Sequence, residues 1–284
     1  MKLLGWDTSG KAGSIVAVEC GPDFGSLDVA PVQPFKVVSE FTLNVDATHS
    51  ERLLWGIHQV LLSARWSLQE VDAFAVGVGP GSFTGLRIGV TTARTLSHTL
   101  KKPLIPVSSL AALARPAALH YAQFHEKVLV VAVTDACKGE LFALWGHADA
   151  VQKVVMPSAP VGSDGGLGRV REEVLTPEAL IDLLQKDLAA ESSPSRWVVL
   201  GEGVSRYSEI WQALPQAQKL ECAFLFSDTV QGRYLGLMAA ESLRSTQRDD
   251  ALGVFPQYLR ASDAELKLRA GQLPRVGSNP LSSA

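Results

Sequence analysis

The sequence is poor in cysteine and in charge. Its 284 residues include only three cysteines, Cys20, Cys137 and Cys222, which lie far apart and form no CxxC pair. Such usage is typical of a reducing compartment and excludes a disulfide framework. Charged residues make up 19% of the chain and give a net charge of −3. This balance argues against a strongly basic nucleic-acid binder that works through bulk electrostatics.

Long hydrophobic runs are also missing. The apolar N-terminal run ends at Asp7, before the core of a signal peptide could form, and the longest clean apolar run elsewhere covers residues 128–133. A membrane-spanning helix needs about 18 such residues. We therefore expect a soluble, cytoplasmic protein with no membrane partner.

Signatures of a metal centre or an activated nucleophile are absent as well. None of the six histidines belongs to an HExxH motif, which would place two zinc ligands on one helix face. No GxSxG elbow surrounds Ser82. The residue types by themselves thus predict neither a metal site nor a catalytic group.

The chain does contain alternating strand-like and helix-like segments, which predict an α/β architecture with partly parallel sheets. Two predicted hairpins resemble each other, because in both an apolar strand leads to an aspartate, Asp7 or Asp135, and a small polar turn with glycine. This match indicates a duplicated α/β unit. Predicted strands cover residues 2–6, 14–19, 36–43, 73–78, 128–134, 140–145 and 197–200. Predicted helices cover residues 49–65, 86–100 with Pro103 as the stop, a segment opening at Thr176-Pro177, and 229–244; a loop is predicted at 157–169.

The strongest local signal is the segment Gly79-Pro80-Gly81-Ser82-Phe83-Thr84-Gly85-Leu86-Arg87, between a predicted strand and a predicted helix. Glycines at such a place let backbone N–H groups approach an anion at the helix start. The segment is not the dinucleotide-binding fingerprint, because its spacing is GxGxxxG and no ribose-binding acid follows, and it lacks the GK[ST] of a P-loop. An anion-binding loop and a tight turn in which glycine serves packing both remain open.

Acidic residues are absent from residues 73–125, which carry five basic ones: Arg87, Arg94, Lys101, Lys102 and Arg115. This local positive field could face tRNA phosphates, a nucleotide or an acidic partner. The alternative is an ordinary solvated helix face balanced by acids from elsewhere in the chain.

The two hairpin turns are candidate phosphate sites. Asp7, Thr8, Ser9 and Gly10, together with Asp135, offer hydroxyl and N–H groups for a phosphate and carboxylates for Mg²⁺. Asp, Ser and Gly are also the residues that ordinary turns use, so a purely structural role is the alternative.

Five motifs follow one another in a fixed order along the chain. The first two are Asp7-Thr8-Ser9 and His49-Ser50-Glu51 with Leu53. The third is the glycine-rich segment, extended from Arg87 through Ile88 to Gly89. The last two are Pro106-Val107-Ser108-Ser109-Leu110 and Asp135-Ala136 with Gly139-Glu140. This order resembles the TsaB (YeaZ) family of bacterial tRNA threonylcarbamoyladenosine biosynthesis proteins. The resemblance is dense over residues 1–145 and thin afterwards, and the stretch GPGSFTGLR is highly specific to the family.

The resemblance implies an actin-like ATPase (ASKHA) fold of two duplicated ribonuclease H-like domains with a cleft between them. The expected division is an N-terminal domain of residues 1–106, completed by a C-terminal helix at 229–248, and a second, degenerate domain of residues 107–228. In active relatives, Asp7 to Gly10 would be the first phosphate loop and Asp135 would lie on the second. Residues 272–284 have little periodicity and are expected to form a disordered tail.

The resemblance also implies that a metal site has been lost. TsaD, the catalytic paralogue, carries two histidine ligands in the sequence His-His-Met-Glu-Gly-His-Leu, and Ser109 and Leu113 stand at the matching positions here. Leucine cannot bind a metal, and a serine hydroxyl replaces imidazole poorly. Asp228 is a loosely aligned counterpart of a third, carboxylate ligand, but one ligand makes no site. The expectation is a pseudo-enzyme with neither transferase nor metalloprotease activity.

By the same resemblance, the chain is expected to bind TsaD through helices at residues 49–65 and 83–100. The candidate interface residues are Leu54, Trp55, His58 and Arg87. With the ATPase TsaE and the adenylate made by TsaC, the pair would install N6-threonylcarbamoyladenosine (t6A) beside the anticodon of tRNAs that read ANN codons, so that tRNA is an indirect partner. The same helices could pair with a second copy of the chain when TsaD is absent.

A nucleotide-binding hydrolase of the same superfamily is the alternative, because the phosphate-loop residues are present. Against it, no convincing glycine-rich adenosine loop occurs, since Gly201-Glu202-Gly203 is short and carries an acid. We expect the isolated chain to bind no cofactor, or nucleotide only weakly, and ATP or ADP at the interface of the complex stays open.

Overall fold

Two five-stranded mixed sheets form the framework of the protein. They are seen in a computed structural model, which describes residues 1–21, 35–44, 49–124, 127–156, 170–190, 196–212, 219–222, 228–243 and 253–260. Within these ranges, no helix is long and apolar enough to cross a membrane.

The first sheet consists of β1 (Lys2–Asp7), β2 (Ala12–Cys20), β3 (Phe35–Asn44), β4 (Ala73–Gly77) and β5 (Leu104–Val107). Their order across the sheet is β3-β2-β1-β4-β5. Strand β1 pairs antiparallel with β2 and parallel with β4, and β4 pairs parallel with β5. Because parallel strands end at the same edge of a sheet, Asp7 lies beside the carboxyl ends of β4 and β5.

Three helices belong to the N-terminal part of the chain. They are α1 (His49–Ala64), α2 (Phe83–Leu100) and α3 (Ser109–Tyr121), and a short 3-10 helix covers Leu68–Glu70. In α1 the buried residues recur at helical spacing and pack toward β2 and β3, namely Leu53, Ile57, Val60 and Leu61. Helix α2 starts where the Ser82 hydroxyl accepts a hydrogen bond from the Gly85 N–H at 3.3 Å, which caps the helix.

The second sheet repeats the first. Its strands are β6 (Val128–Cys137), β7 (Glu140–His147), β8 (Arg171–Leu175), β9 (Arg196–Leu200) and β10 (Lys219–Cys222). The order β8-β7-β6-β9-β10 matches that of the first sheet position by position, and β6 again pairs antiparallel with the next strand and parallel with the one after the connecting helices. The accompanying helices are α4 (Ala148–Val151), α5 (Pro177–Ala190), α6 (Glu202–Arg206) and α7 (Ser208–Gln212). The predicted α/β duplication is therefore confirmed.

The helix that follows each sheet packs mainly on the other half. Helix α3 contacts β6 and β7, whereas the last helix, α8 (Gly232–Ser242), contacts β1, β2 and β3. The two helices also meet each other, and the Arg115 guanidinium on α3 donates to both carboxylate oxygens of Glu241 on α8. The largest apolar cluster contains residues of both sheets, so the two halves share a core. The domain boundaries at residues 106 and 228 stay a prediction.

Several predicted elements occur with different bounds. Helix α2 begins at Phe83 rather than at residue 86, and it ends at Leu100 as predicted, where Lys101 takes a left-handed conformation with φ of 52° and Pro103 follows two residues later. Helix α8 starts at Gly232 rather than at residue 229, and strand β6 continues past Thr134 to Cys137. Strands β5, β8 and β10 and helices α3, α4, α6 and α7 were not predicted. The predicted loop at 157–169, the end of the predicted C-terminal helix and the predicted tail at 272–284 lie outside the described residues.

Candidate functional site

Two adjoining cavities lie between the halves of the protein, beside the carboxyl end of β1. The smaller cavity has a volume of about 240 Å³ and the larger cavity one of about 810 Å³. Both are lined by Ser9, Gly10, Lys11 and Glu202. The smaller cavity is also lined by Asp7 of the first candidate phosphate loop. The three residues at the expected ligand positions, Ser109, Leu113 and Asp228, line it as well.

Asp7, the first residue of the candidate phosphate loop, is buried and fully engaged within the chain. Its Oδ1 accepts hydrogen bonds from the Ser9 N–H at 2.9 Å and from the Ser9 hydroxyl at 2.6 Å. Its Oδ2 accepts one from the Ser109 hydroxyl at 2.6 Å. Only 1% of Asp7 is exposed. Hydrogen bonds to an ionised carboxylate are strong, so these donors satisfy the oxygen atoms that a metal ion or an attacking water would need.

Ser109, at the first expected ligand position, links Asp7 to the glycine-rich segment. The Gly79 N–H donates to the Ser109 hydroxyl oxygen at 3.1 Å, and the Ser109 N–H donates to the Gly79 carbonyl at 2.9 Å. Leu113, at the second ligand position, is buried on the next turn of α3. These contacts place both positions in the packing of the cavity wall.

The described residues contain no group of three or more His, Cys, Asp or Glu side chains that could hold a metal ion. Asp228 is exposed and lines the same cavity as Ser109 and Leu113. The expected counterparts of the three ligands thus share one wall, with a single carboxylate among them.

The glycine-rich segment packs directly on the loop after β1. The Thr8 hydroxyl donates to the Gly85 carbonyl at 2.7 Å, and the Ser82 N–H donates to the Ser9 carbonyl at 2.6 Å. A Cβ at Gly81 would lie 2.4 Å from that same Ser9 carbonyl oxygen. The glycine at position 81 therefore serves close packing, which favours the second of the two interpretations left open by the sequence.

We expect Gly81→Ala to lower the free energy of unfolding by about 2 kcal/mol, because the new methyl group meets backbone atoms that cannot move aside. Gly10→Ala, in the partner loop, is the matched control: its Cβ would lie 3.7 Å from the nearest atom, an ordinary contact. That control should change stability by less than about 0.5 kcal/mol. Urea unfolding monitored by circular dichroism measures both, and equal stability of the two variants would contradict the packing role.

Asp135, the second candidate phosphate-loop residue, is also engaged. Its Oδ1 accepts from the Cys137 N–H at 2.9 Å and from the Tyr207 hydroxyl at 3.4 Å. Its Oδ2 pairs with the Arg206 guanidinium at 3.2 Å. Asp135 lines the larger cavity but not the smaller one, so the structure does not bring the two aspartates together in one cavity.

Three of the four predicted interface residues form an exposed stripe on α1. Leu54 and Trp55 are 58% and 52% exposed, and His58 is exposed too. Leu62, which the sequence analysis did not single out, is 58% exposed and extends the stripe. At 100° per residue these four side chains occupy an arc of roughly 100°, so they form one continuous face. We call this face the α1 stripe.

The fourth predicted interface residue, Arg87, lies elsewhere. Its guanidinium stacks 3.7 Å from the centre of the Phe83 ring, and its Nε donates to the Tyr258 hydroxyl at 3.1 Å. All three side chains line the larger cavity. Arg87 is exposed and lies at the rim of that cavity, and its place in the partner interface stays a prediction.

The remaining motif residues lie in the first turns of α1 and α2 and beside the smaller cavity. His49, Ser50 and Glu51 form the first turn of α1, and their side chains lie outside the described part of the structure. Pro80 lines the smaller cavity, and the exposed Thr84 lies in the first turn of α2.

Sequence reasoning missed most of the larger cavity. Lys138, Phe142, Gln257, Tyr258 and Arg260 line it, and Glu202 was considered only as a fault in an adenosine loop. No periodicity marks residues 253–260, so the hairpin turns and the glycine-rich segment signalled the cavity in advance, whereas nothing signalled this part of its wall.

Comparison with protein families gives a match over residues 36–268 to the family described as TsaD, tRNA N6-adenosine threonylcarbamoyltransferase. Among curated relatives, the tRNA threonylcarbamoyladenosine biosynthesis protein TsaB of Haemophilus influenzae is 34% identical over 57% of this chain and 61% of its own length. The proteins of the same name from Bacillus subtilis and Escherichia coli are 31% and 28% identical, over 48% and 77% of this chain and 57% and 76% of their own lengths. The matched region thus spans about three fifths of the first two relatives.

Two solved structures from Pseudomonas aeruginosa share the fold. One, described as YeaZ, has a TM-score of 0.63 at 24% identity, and the other, described as similar to peptidase YeaZ, has a TM-score of 0.63 at 25% identity. Each comparison covers 91% of this chain and 99% of the solved one. With the duplicated sheet order, they establish the two-domain α/β fold of the actin-like ATPase type. The chain accordingly belongs to the TsaD family of tRNA N6-adenosine threonylcarbamoyltransferases and, within it, to the TsaB (YeaZ) group.

Proposed function

We propose that this chain is a non-catalytic subunit that binds TsaD and supports the formation of t6A next to the anticodon of tRNAs that read ANN codons. The observation that carries the proposal is the hydrogen bond from Ser109 to Asp7, which joins an expected ligand position to the expected phosphate loop. Because donors of the chain itself engage both carboxylate oxygens of Asp7, we infer that this side chain does not activate a substrate. The chain would then act through a partner.

The α1 stripe is the surface that such a partner would cover. Exposed apolar side chains that are contiguous on one helix face mark interaction sites in soluble proteins. Trp55 is held in place, because its ring packs edge-on against Phe41 of β3 with centroids 5.6 Å apart. A preordered tryptophan is a typical anchor of a binding interface. We infer that TsaD contributes a complementary apolar helix, and that a second copy of the chain takes its place when TsaD is absent.

TsaE is the further partner that we propose for the assembly, as the subunit that would hydrolyse ATP. ATP or ADP would then lie at an interface rather than in the smaller cavity, whose loop hydroxyls donate to protein oxygens instead of a phosphate.

The second candidate is a nucleotide-binding hydrolase, favoured by the smaller cavity itself, where the candidate phosphate-loop residues Ser9 and Gly10 and the basic residue Lys11 line about 240 Å³ of space. ATP turnover by the purified chain, above that of a heat-inactivated sample, would favour this candidate.

Reconstituted tRNA modification tests the leading proposal. TsaC, TsaD, TsaE, ATP, threonine and bicarbonate are incubated with an unmodified ANN-reading tRNA, with and without this chain, and t6A is measured by mass spectrometry of the nucleosides. We expect t6A only when the chain is present, and none when the chain replaces TsaD. Full modification without the chain would refute the subunit role, and modification without TsaD would refute the non-catalytic role.

A further inference from the structure

We propose that residues 253–260 are a strap that ties the two halves of the protein together along the larger cavity, and that protonation of Glu172 controls how firmly the strap is held. The strap is defined by these eight described residues alone. It supplies four neighbouring residues of the cavity wall, from Gln257 to Arg260.

On the first half, the strap is fixed by backbone and ring contacts. The Gln257 N–H donates to the Val78 carbonyl at 2.7 Å, which adds a hydrogen bond beyond the end of β4. The Tyr258 ring packs on Phe83 of α2 with centroids 4.7 Å apart. Val254 is buried in the core of the first sheet.

With the second half of the protein, the strap makes polar contacts through Gln257 and Arg260. The Gln257 amide donates to Glu172 Oε2 on β8 at 3.0 Å. The Arg260 guanidinium donates to the Ala136 carbonyl and pairs with Glu140 at 3.2 Å, on the two strands of the β6–β7 hairpin. One short segment thus bridges elements of both sheets, and Gln257 contacts both halves at once.

Glu172 lies beneath the strap at the point where the halves meet. It is 6% exposed, and its Oε1 accepts a hydrogen bond from the Ser108 hydroxyl at 2.5 Å. Ser108 caps α3, because its hydroxyl oxygen also accepts from the Ala111 N–H at 3.1 Å. The carboxyl group of Glu172 on β8 therefore contacts both the start of α3 and the strap.

Burial raises the pKa of Glu172 to about 7, although the hydrogen bonds from Ser108 and Gln257 act in the opposite direction. No charged group contributes to this shift. The titratable side chains on the elements packed around it are Arg171 and Glu173 on β8, Glu140 and His147 on β7, Arg115, His120 and Tyr121 on α3, Asp149 on α4 and Lys153 after it, and Tyr258 and Arg260 on the strap. Glu172 would therefore respond to its access to water, which the strap restricts.

The direction of the response follows from linkage. Lifting the strap admits water to Glu172 and lowers its pKa toward the ordinary value, so the docked strap favours the protonated carboxyl. Docking is thus firmest below the ordinary pKa of glutamate and weakens as pH rises toward and through about 7. When the carboxyl is protonated, its O–H can donate to Gln257 Oε1, an atom with no other hydrogen-bond partner among the described residues.

Hydrogen exchange of the strap amides tests the proposal on the whole chain by itself, so the result is independent of the proposed role in tRNA modification. After correction for the intrinsic effect of pH, we expect exchange within residues 253–260 to be on the order of tenfold faster at about pH 8 than at about pH 5.5. Exchange in β1 should stay unchanged. Equal corrected protection of the strap at both pH values would overturn the proposal, and this comparison needs only the wild-type chain.

Glu172→Gln identifies the responsible group, because the neutral amide keeps the shape of the protonated acid and can donate to Gln257. The variant should keep the strap protected at both pH values. Glu173→Gln is the matched control, since neighbouring residues of a strand point to opposite faces, and it should keep the wild-type pH dependence. A pH dependence that survives in Glu172→Gln, or disappears in Glu173→Gln, would assign the effect to another group and refute the role of Glu172.

Discussion

The Leu54→Glu variant is expected to bind TsaD on the order of a hundredfold more weakly than the wild type, because a charge within an apolar interface must be desolvated without a partner. Leu54 lies in the α1 stripe and is 58% exposed in the isolated chain. Its replacement should therefore change the free energy of unfolding by no more than about 0.5 kcal/mol. Calorimetric titration with TsaD and thermal unfolding of the variant measure the two quantities separately.

Phe124→Glu is the matched control. Phe124 is 54% exposed and follows the end of α3, a helix that packs on the second sheet, so it offers a similar exposed apolar side chain outside the α1 stripe. This variant should bind TsaD normally. Native affinity of a folded Leu54→Glu variant would remove Leu54 from the interface, and equal losses in both variants would indicate a non-specific effect of the added charge. Loss of t6A formation should accompany the loss of binding.

Local patterns predicted the elements that have one buried and one exposed face. Helix α1 shows this clearly, because its apolar residues follow helical spacing and end at the predicted position. The two hairpins, whose strands are buried on both faces, were predicted for a different reason, since each aspartate with a small polar turn interrupts an apolar run. The duplicated architecture then followed from the similarity of the hairpins, before any long-range contact was known.

Helix α3 was missed because it is buried almost all round. From Ser109 to Ala118 every residue is buried, and the alanines that fill this stretch give no amphipathic period. The helix lies between the sheets and contacts α8 as well as the second sheet. Its environment comes from elements distant in sequence, which a local pattern cannot contain.

The sequence predicted individual residues of the candidate site but not the hydrogen bonds that connect them. Asp7 and Ser109 were both singled out, one as a phosphate-loop residue and the other as a lost ligand. The hydrogen bond between them joins positions 102 residues apart, so only the pairing of β1, β4 and β5 brings them together. Arg87 gives a second case, because its place on α2 was predicted whereas its contact with the strap residue Tyr258, 171 positions further along the chain, was not.

The contacts of Asp7 give it a structural role that can be separated from a catalytic one. Three donors converge on a carboxylate with 1% exposure, and removing it would leave the hydroxyls of Ser9 and Ser109 buried without that acceptor. An unsatisfied buried donor costs about 1–3 kcal/mol. Asp135, at the equivalent place in the second hairpin, instead pairs with the exposed guanidinium of Arg206. Exposed ion pairs of this kind contribute about 0–1 kcal/mol.

We therefore expect Asp7→Ala to lower the free energy of unfolding by about 3 kcal/mol, whereas Asp135→Ala, the matched control, should lower it by about 1 kcal/mol or less. Chemical unfolding of both variants measures the difference. Asp7→Asn keeps an oxygen for one set of donors, so it should fold and should still support t6A formation if Asp7 has no chemical step to perform. An ATP turnover by the wild-type chain that vanishes in a stable Asp7→Asn variant would make Asp7 a catalytic group, and the hydrolase would then replace the non-catalytic subunit as the better account of this chain.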